Sequence, residues 1–291
     1  MLGLLAAIWG AAFMLISIGL RGFEPATLIA GRLGSAALAL LLVEAVRRRL
    51  GTTLARLRPY AARLAFAGLV NTAVPFFLIA WGQQYVDSNI AAILNASAPL
   101  FTVLLAALAV RSERVSGVQL AGFLVGFGGV VLVVAGRHGE GGKGLAGALA
   151  VVAATVFYAV GALYVSRRLR GLTAFEVSFG LLAWAALFTL PAGLALLPGS
   201  DAGWRPALAV LGLGVLATAF AFQLYFALIA GVGASRAILV TYLVPALALV
   251  YGILLLDEPF RWSALGGLAL VLAGVSVGTG GVRRRGAPAA A

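Results

Sequence analysis

The chain of 291 residues contains no cysteine and a single histidine, His138. The absence of cysteine excludes disulfides, thiolate metal ligands and cysteine nucleophiles. His138 stands alone in the glycine-rich stretch R-H-G-E-G-G-K-G at 137–144, so neither a histidine metal site nor a serine–histidine pair can form. The same stretch lacks the G-x-x-x-x-G-K-[ST] spacing of a phosphate-binding loop. We therefore predict that the protein is not an enzyme and uses no metal and no cofactor.

Charge is scarce as well. Charged residues make up 10% of the chain and hydrophobic residues 63%, whereas soluble domains are usually about half apolar and a quarter charged. So few charges cannot cover a water-facing surface, and the long apolar segments favour a helical bundle over a barrel. The net charge of +12 is attributed to arginines at helix ends and not to nucleic-acid binding.

The composition predicts an all-α integral membrane protein with ten transmembrane helices, short connections and no separate soluble domain. The first apolar stretch begins at Leu2 without a basic segment before it, so we expect a membrane span there and not a cleaved signal. Residues 281–291 are expected to form a basic cytoplasmic tail. The spans are predicted at about 2–20, 25–46, 63–84, 88–109, 116–135, 144–166, 174–197, 206–230, 234–256 and 261–280.

The basic residues predict the orientation of these spans. If the N-terminus is cytoplasmic, the inner loops and the tail hold fifteen of the 21 lysines and arginines, and the outer loops hold five. This bias follows the positive-inside rule with both termini in the cytoplasm. The remaining basic residue, Arg32, lies inside a predicted span.

The two halves of the chain are related by an internal repeat. A shift of 146 residues superimposes residues of spans 3 and 4 on residues of spans 8 and 9, and a shift of 145 continues the match into spans 5 and 10. We predict two repeats, 1–136 and 144–280, and because each holds five spans the second is inverted. Inverted repeats are typical of secondary transporters. The matched pairs are Gly68/Gly214, Thr72/Thr218, Ala73/Ala219, Phe76/Phe222, Val86/Val232, Ala91/Ala237, Asn95/Thr241, Pro99/Pro245, Glu113/Glu258, Gly122/Gly267 and Gly129/Gly274.

The whole chain resembles the drug/metabolite transporter superfamily in its ten-helix EamA-type branch. The resemblance rests on Trp9-Gly10 and Phe13, on Pro25 with Arg32, and on paired segments at 88–101 and 234–247 and at 113–122 and 258–267. It implies export of small metabolites, commonly amino acids, and the aromatic amino-acid exporters are a similar subgroup. The small multidrug pumps of the superfamily use a glutamate in their first helix as proton carrier, and the first span here has no acid.

A substrate site is expected near the middle of the membrane, where polar groups face the bundle interior. In the alternative, such groups join helices to one another, which is ordinary for serine and threonine in membrane bundles. Aromatic side chains at this depth either contact a ligand or pack against other helices. The candidate residues are Trp9, Asn71, Thr72, Asn95, Ser97, Thr155, Tyr158, Thr218, Gln223, Thr241 and Tyr242.

Arg32 is a further candidate because it lies some seven residues, or about 10 Å, inside its span. A cation within the membrane suggests an anionic partner, and a substrate carboxylate would suit it. In the alternative, its long side chain reaches back to the outer surface.

Three prolines are candidate hinges. Pro75, Pro99 and Pro245 each free a backbone carbonyl and weaken one turn of helix. Pro99 and Pro245 are related by the repeat, so each half is expected to bend at the corresponding point. In the alternative, they are static kinks that shape the cavity.

Two further patterns are interpreted as structural. Glu113 and Glu258 precede predicted helices, where an acid favours the positive end of the helix dipole. Gly122, Gly126 and Gly129, with Gly267, Gly274 and Gly278, form small-residue faces for close helix contact, either within the chain or in a homodimer.

The sequence thus predicts a secondary transporter in the bacterial inner membrane that exports small metabolites, above all amino acids, by alternating access. Drug efflux within the same superfamily and a channel-like facilitator remain as alternatives. The predicted partners are a small-molecule substrate and the lipid bilayer.

Overall fold

The computed structural model describes residues 1–109, 116–136, 141–200, 203–233, 237 and 239–283. Across these ranges the chain is almost entirely helical and contains no strand. We number the helices α1 (Leu2–Gly19), α2 (Pro25–Val46), α3 (Leu50–Leu57), α4 (Ala61–Gly68), α5 (Val74–Gly82), α6 (Ser88–Asn95), α7 (Ala98–Ala109), α8 (Gly117–Ala135), α9 (Gly141–Arg168), α10 (Ala174–Leu196), α11 (Trp204–Gly214), α12 (Ala221–Val232), α13 (Val240–Leu256) and α14 (Trp262–Arg283).

Ten membrane-spanning units can be assigned within the described ranges. Eight helices are long and apolar enough to cross a bilayer, and two shorter apolar helices cover Val240–Leu256 and Trp262–Gly278. Each corresponds to one predicted span, so the prediction of a ten-helix membrane protein is confirmed. Glu113 and the tail after residue 283 lie outside the described residues.

Two spans differ in detail from the prediction. The segment between spans 2 and 3, expected to be a loop, contains α3, which continues through a short 3₁₀ turn at Arg58–Tyr60 into α4. The hydroxyl of Thr53 in α3 donates to the buried carboxylate of Glu44 in α2, which fixes α3 against the bundle. Span 4 is broken after Asn95 into α6 and α7, so Pro99 is the second residue of a new helix.

Two five- or six-residue π-helical turns interrupt spans 3 and 8 at corresponding places. The first is Leu69–Ala73, between α4 and α5, and the second is Val215–Phe220, between α11 and α12. The first contains Thr72 and the second contains Thr218, which the repeat pairs. A π turn inserts an extra residue into a helix and is frequent at functional sites.

The predicted glycine faces pack against each other within the chain. A side chain on Gly122 would collide with Gly274 and Gly278, and one on Gly129 would collide with Gly267. Helices α8 and α14 therefore approach backbone to backbone, as small residues permit in membrane bundles. A homodimer would need a surface other than these glycines.

Glu258 caps a different helix from the one expected. Its carboxylate accepts hydrogen bonds from the backbone N–H groups of Ser88 (2.7 Å) and Asn89 (3.0 Å), at the start of α6. This corrects the prediction that Glu258 serves the helix that follows it. The reason is the C-terminal cap of α13: Asp257 adopts the left-handed conformation (φ 56°), and the N–H of Glu258 donates to the carbonyl oxygen of Gly252 (3.0 Å), which leaves the carboxylate facing α6.

The capping bond joins the two halves of the protein at the end of the bundle opposite the N-terminus. We expect Glu258→Gln to lower stability by about 1–2 kcal/mol, because the neutral amide has a single acceptor oxygen and loses the charge-assisted bonds. The measurement is the apparent Tm in detergent at a fixed heating rate.

The control for this prediction is Glu24→Gln, because Glu24 is an exposed acid before α2 that makes no side-chain capping bond. Equal Tm values for the two variants would contradict the capping role of Glu258.

Candidate functional site

A cavity of about 490 Å³ lies between the two halves. Its walls come from α1, α2, α5, α6, α7, α9, α12 and α13 and from the two π turns, whereas α8 and α14 pack on each other outside it. Its size falls in the usual range for small-molecule sites. Apolar and aromatic side chains dominate the wall, with a few polar groups among them.

Arg32 is the charged residue on this wall. Its side chain is only 7% exposed, its Nε–H donates to Thr218 Oγ1 (2.9 Å), and its guanidinium carbon lies 3.9 Å from the centre of the Phe76 ring. The guanidinium therefore points into the bundle, and the alternative in which it reaches the outer surface does not describe this structure. No described Asp or Glu forms a salt bridge with it.

Two aromatic pairs lie at the cavity, and each pair joins one ring from the first half to one ring from the second. Phe76 and Tyr158 meet edge to face with ring centres 6.3 Å apart, and Phe222 and Trp9 do so at 6.5 Å. Phe222 is the repeat counterpart of Phe76. Trp9 lies in the first span of the first half, and Tyr158 lies in the first span of the second half. Each half thus contributes one phenylalanine of the repeat pair, and each phenylalanine meets an aromatic ring of the first span in the other half. Tyr225 adds a third ring beside Trp9, at 5.3 Å.

The packing of the π turns shows which residue corresponds to Arg32. A Cβ on Gly214 would stand 2.5 Å from the carbonyl oxygen of Arg32, and one on Gly68 would stand 2.7 Å from that of Leu181. Gly68 and Gly214 are repeat counterparts, so Leu181 occupies the place of Arg32 in the other half. The cavity therefore has a phenylalanine of the repeat pair in each half but a guanidinium in only one.

The predicted site residues divide into two groups. Those that line the cavity are Trp9, Arg32, Asn71, Asn95, Tyr158 and Thr241. The others are not on the wall: Thr72, Thr218, Ser97 and Thr155 are buried, and Gln223 and Tyr242 are half-buried. The hydroxyl of Ser97 donates to the carbonyl oxygen of Leu94, and that of Thr155 donates to the carbonyl oxygen of Val152. The hydroxyl of Ser97 thus bonds to the end of α6 and that of Thr155 to its own helix, α9.

Asn71 and Asn95 differ from these local hydroxyls. Asn95 is the last residue of α6, and its Oδ1 is buried with no hydrogen-bond partner in the described part of the chain. Asn71 lies in the first π turn, directly against Gly161 of α9, where any side chain would collide with it. Both amides reach the cavity wall.

Sequence reasoning missed several of the aromatic and apolar wall residues. Among them are Phe13, Phe76, Thr102, Phe222 and Tyr225. The repeat contained a usable signal, since Phe76 and Phe222 are a matched pair next to the matched threonines. Tyr225 carries no such signal.

The prolines occupy three different settings. Pro75 follows the first π turn at the start of α5, Pro99 follows the break in span 4, and Pro245 lies inside α13. Pro99 and Pro245 line the cavity. No group of His, Asp and Glu suited to a metal occurs among the residues described.

Two inverted halves around a central cavity are the architecture of a multi-pass membrane transporter. The sequence model of the EamA-like transporter family matches residues 1–135 and 145–279. The chain therefore belongs to this family, within the drug/metabolite transporter superfamily. The name of the family and the names of the relatives described below are those of transporters and not of enzymes.

Several relatives extend over most of the chain. The "Probable terminal-alkyne amino-acid exporter" of Streptantibioticus cattleyicolor is 32% identical, covering 92% of this chain and 88% of its own. The inner membrane transporter YedA of Escherichia coli K12 is 27% identical over 93% and 88%. A solved structure titled "Crystal structure of protein" matches with a TM-score of 0.65 at 21% identity, covering 98% of both chains, and supports the fold.

The approach at Gly214 can be tested by adding one methyl group. We expect Gly214→Ala to lower the apparent Tm, because its Cβ would strike Arg32 and Ser35 of α2. Melting in detergent, followed by size-exclusion chromatography, measures this effect.

Gly212→Ala is the matched control on the same helix, because a Cβ there meets only Leu15, at 3.7 Å. If Gly214→Ala melts at the same temperature as Gly212→Ala, α2 does not pack on the π turn as described.

Proposed function

We propose that this EamA-family transporter exports amino acids, and that Arg32 binds the substrate carboxylate. The observation that carries the proposal is a buried guanidinium on the wall of a central cavity, without a carboxylate partner in the described residues. A guanidinium with free N–H groups in a low-dielectric site binds a carboxylate strongly and with defined geometry. The name of the Streptantibioticus relative, an amino-acid exporter, agrees with this chemistry.

The rest of the wall suits the other parts of an amino acid. The Oδ1 of Asn95, buried and unpaired within the described chain, is an acceptor for the ammonium group. Trp9, Phe222 and Tyr225 offer aromatic faces that attract a cation or pack on an apolar side chain. The wall therefore favours amino acids with apolar or aromatic side chains.

Efflux of cationic drugs is the weaker candidate. The cavity carries a positive charge, and no acidic residue is among those that line it. A cation entering this site would meet Arg32 in a low dielectric, where like charges repel strongly. A zwitterion brings its own negative group.

The setting we propose is the bacterial inner membrane with both termini in the cytoplasm. The distribution of basic residues supports this orientation through the positive-inside rule. The name of the inner membrane transporter YedA supports the location.

Removal of the guanidinium tests the proposal. In liposomes with radiolabelled phenylalanine, leucine and alanine, we expect Arg32→Gln to raise KM at least tenfold, because the carboxylate loses a charge-assisted pair worth roughly 1.5–3 kcal/mol. Initial rates over a concentration series give KM and the maximal rate.

Arg21→Gln serves as the control. Arg21 is an exposed arginine in the connection between α1 and α2, at the end of the bundle where the helix that carries Arg32 begins. Saturable amino-acid flux that is unaltered by Arg32→Gln would overturn the carboxylate assignment. Proton-driven transport of a cationic dye, without any amino-acid flux, would favour the drug-efflux alternative.

Transport by alternating access requires each half to change shape, and we assign this to the repeat-related prolines. Pro99 follows the break between α6 and α7, and Pro245 lacks the N–H that would complete the helix in α13. Both prolines line the cavity, so bending there would open the substrate site to one side of the membrane and then to the other.

Replacing the two prolines tests this assignment. We expect Pro99→Ala and Pro245→Ala each to reduce the maximal transport rate several-fold with a smaller change in KM, because a more regular helix bends less readily. Pro191→Ala in α10, a proline inside a helix with no residue on the cavity wall, is the control. Unchanged turnover in both variants would show that these prolines are static kinks.

A further inference from the structure

Thr218 is fully buried and does not line the cavity, yet it touches the charged residue that does. Its hydroxyl accepts from Arg32 Nε at 2.9 Å and donates to the carbonyl oxygen of Leu213 at 2.8 Å. A hydroxyl has one proton to donate and lone pairs to accept, so both bonds form at once. The three groups make a continuous chain from the guanidinium to the backbone.

The π turn makes this chain possible. Leu213 precedes Thr218 by five residues, which is the spacing of the backbone bonds in a π helix. At that spacing the threonine hydroxyl lies over the Leu213 carbonyl and still faces α2. Gly214 completes the arrangement, because its missing side chain lets the backbone of Arg32 approach the turn.

The guanidinium is held on two sides. Thr218 occupies its Nε–H, and Phe76 covers its face. The remaining donors of the guanidinium are the Nη groups at its tip, and these are the groups that pair with both oxygens of a carboxylate. Fixing Nε and the ring face therefore sets the direction in which the tip points.

The other half of the protein provides a natural comparison. Thr72 is the repeat counterpart of Thr218, lies in the corresponding π turn and is equally buried, at 1% exposure. Leu181 replaces Arg32 there, and Thr72 Oγ1 has no hydrogen-bond partner in the described part of the chain. The two threonines thus share a setting and differ in whether a guanidinium is bound.

We propose that Thr218 is a positioning residue, which orients Arg32 so that its Nη edge meets the substrate carboxylate, and that this device operates in one half only. The proposal rests on the proposed function of Arg32 and adds the specificity-determining contact behind it. Substrates without a carboxylate should be insensitive to Thr218, because it does not touch the cavity.

The first test needs no substrate. In the ligand-free protein in detergent, the Nε–H proton of Arg32 is followed by NMR and assigned through its loss in Arg32→Gln. We expect slow exchange with water in the wild type, in Thr218→Ser and in Thr72→Val, and exchange at least tenfold faster in Thr218→Val. Equal exchange in Thr218→Val and Thr72→Val would overturn the positioning role.

The second test uses phenylalanine flux in liposomes. We expect Thr218→Val to raise KM about tenfold or more with a smaller effect on the maximal rate, from the loss of a hydrogen bond to a charged group. Thr72→Val should match the wild type, and Thr218→Ser should restore the wild-type KM because it keeps the hydroxyl.

The outcomes separate this inference from the proposed function. If Arg32→Gln raises KM and Thr218→Val does not, Arg32 binds the substrate without help and the inference is wrong. If phenylalanine flux is insensitive to Arg32→Gln, the proposed function fails, and the exchange rates still decide whether Thr218 holds the guanidinium. If Thr72→Val raises KM as much as Thr218→Val does, the increase comes from disturbed packing in both π turns and not from a lost bond to Arg32. That result would contradict the inference.

Discussion

The buried guanidinium of Arg32 is the constraint on which the central region of this protein depends. A charge in the middle of a membrane bundle costs several kcal/mol unless polar groups and a partner compensate for it. Within the described chain the compensation comes from Thr218 at Nε and from the ring of Phe76, and no carboxylate takes part. The charge is thus held in place but left for another anion to neutralise, which is the property that a carboxylate-binding site needs.

The inverted repeat supplies a symmetric frame for this asymmetric charge. Spans 3 and 8 contain matched π turns, and Phe76 and Phe222 each pack edge to face on another ring at the cavity. Gly68 and Gly214 each lie against the backbone of a neighbouring helix, where a side chain would collide. The exchange of Arg32 for Leu181 breaks the symmetry at one point. A carrier can use the symmetric frame to alternate between two conformations, while a single charge would give a carboxylate substrate one orientation in the site.

Two regions of the bundle differ in how regular and how closely packed their helices are. Helices α8 and α14 pack through opposed glycines and do not line the cavity, so they form a close contact between the halves away from the substrate site that we propose. Span 4, by contrast, is broken beside Asn95, and its Pro99 lies on the cavity wall. The break therefore places the buried, unpaired amide oxygen of Asn95 and the ring of Pro99 close together in the chain at the cavity.

The sequence predicted the features that depend on composition and on repetition. The ten spans follow from hydropathy, and Arg32 was singled out because a lone charge within a span is rare. The roles of Thr218 and Glu258 were not predictable, because each depends on a local departure from regular helix geometry: a π turn in one case and a left-handed residue in the other. Six of the eleven polar and aromatic candidates taken from spans near mid-membrane do not line the cavity, since depth in the membrane does not determine which face of a helix a residue occupies.

The central claim is that the cavity recognises a carboxylate. The most direct measurement is competition against radiolabelled phenylalanine uptake in liposomes by two analogues that each keep one charged group, 3-phenylpropionate and phenethylamine. Inhibition by 3-phenylpropionate that disappears in Arg32→Gln, with little inhibition by phenethylamine, is the result expected of a site whose wall carries one cation and no acid. Inhibition by phenethylamine alone would contradict the account.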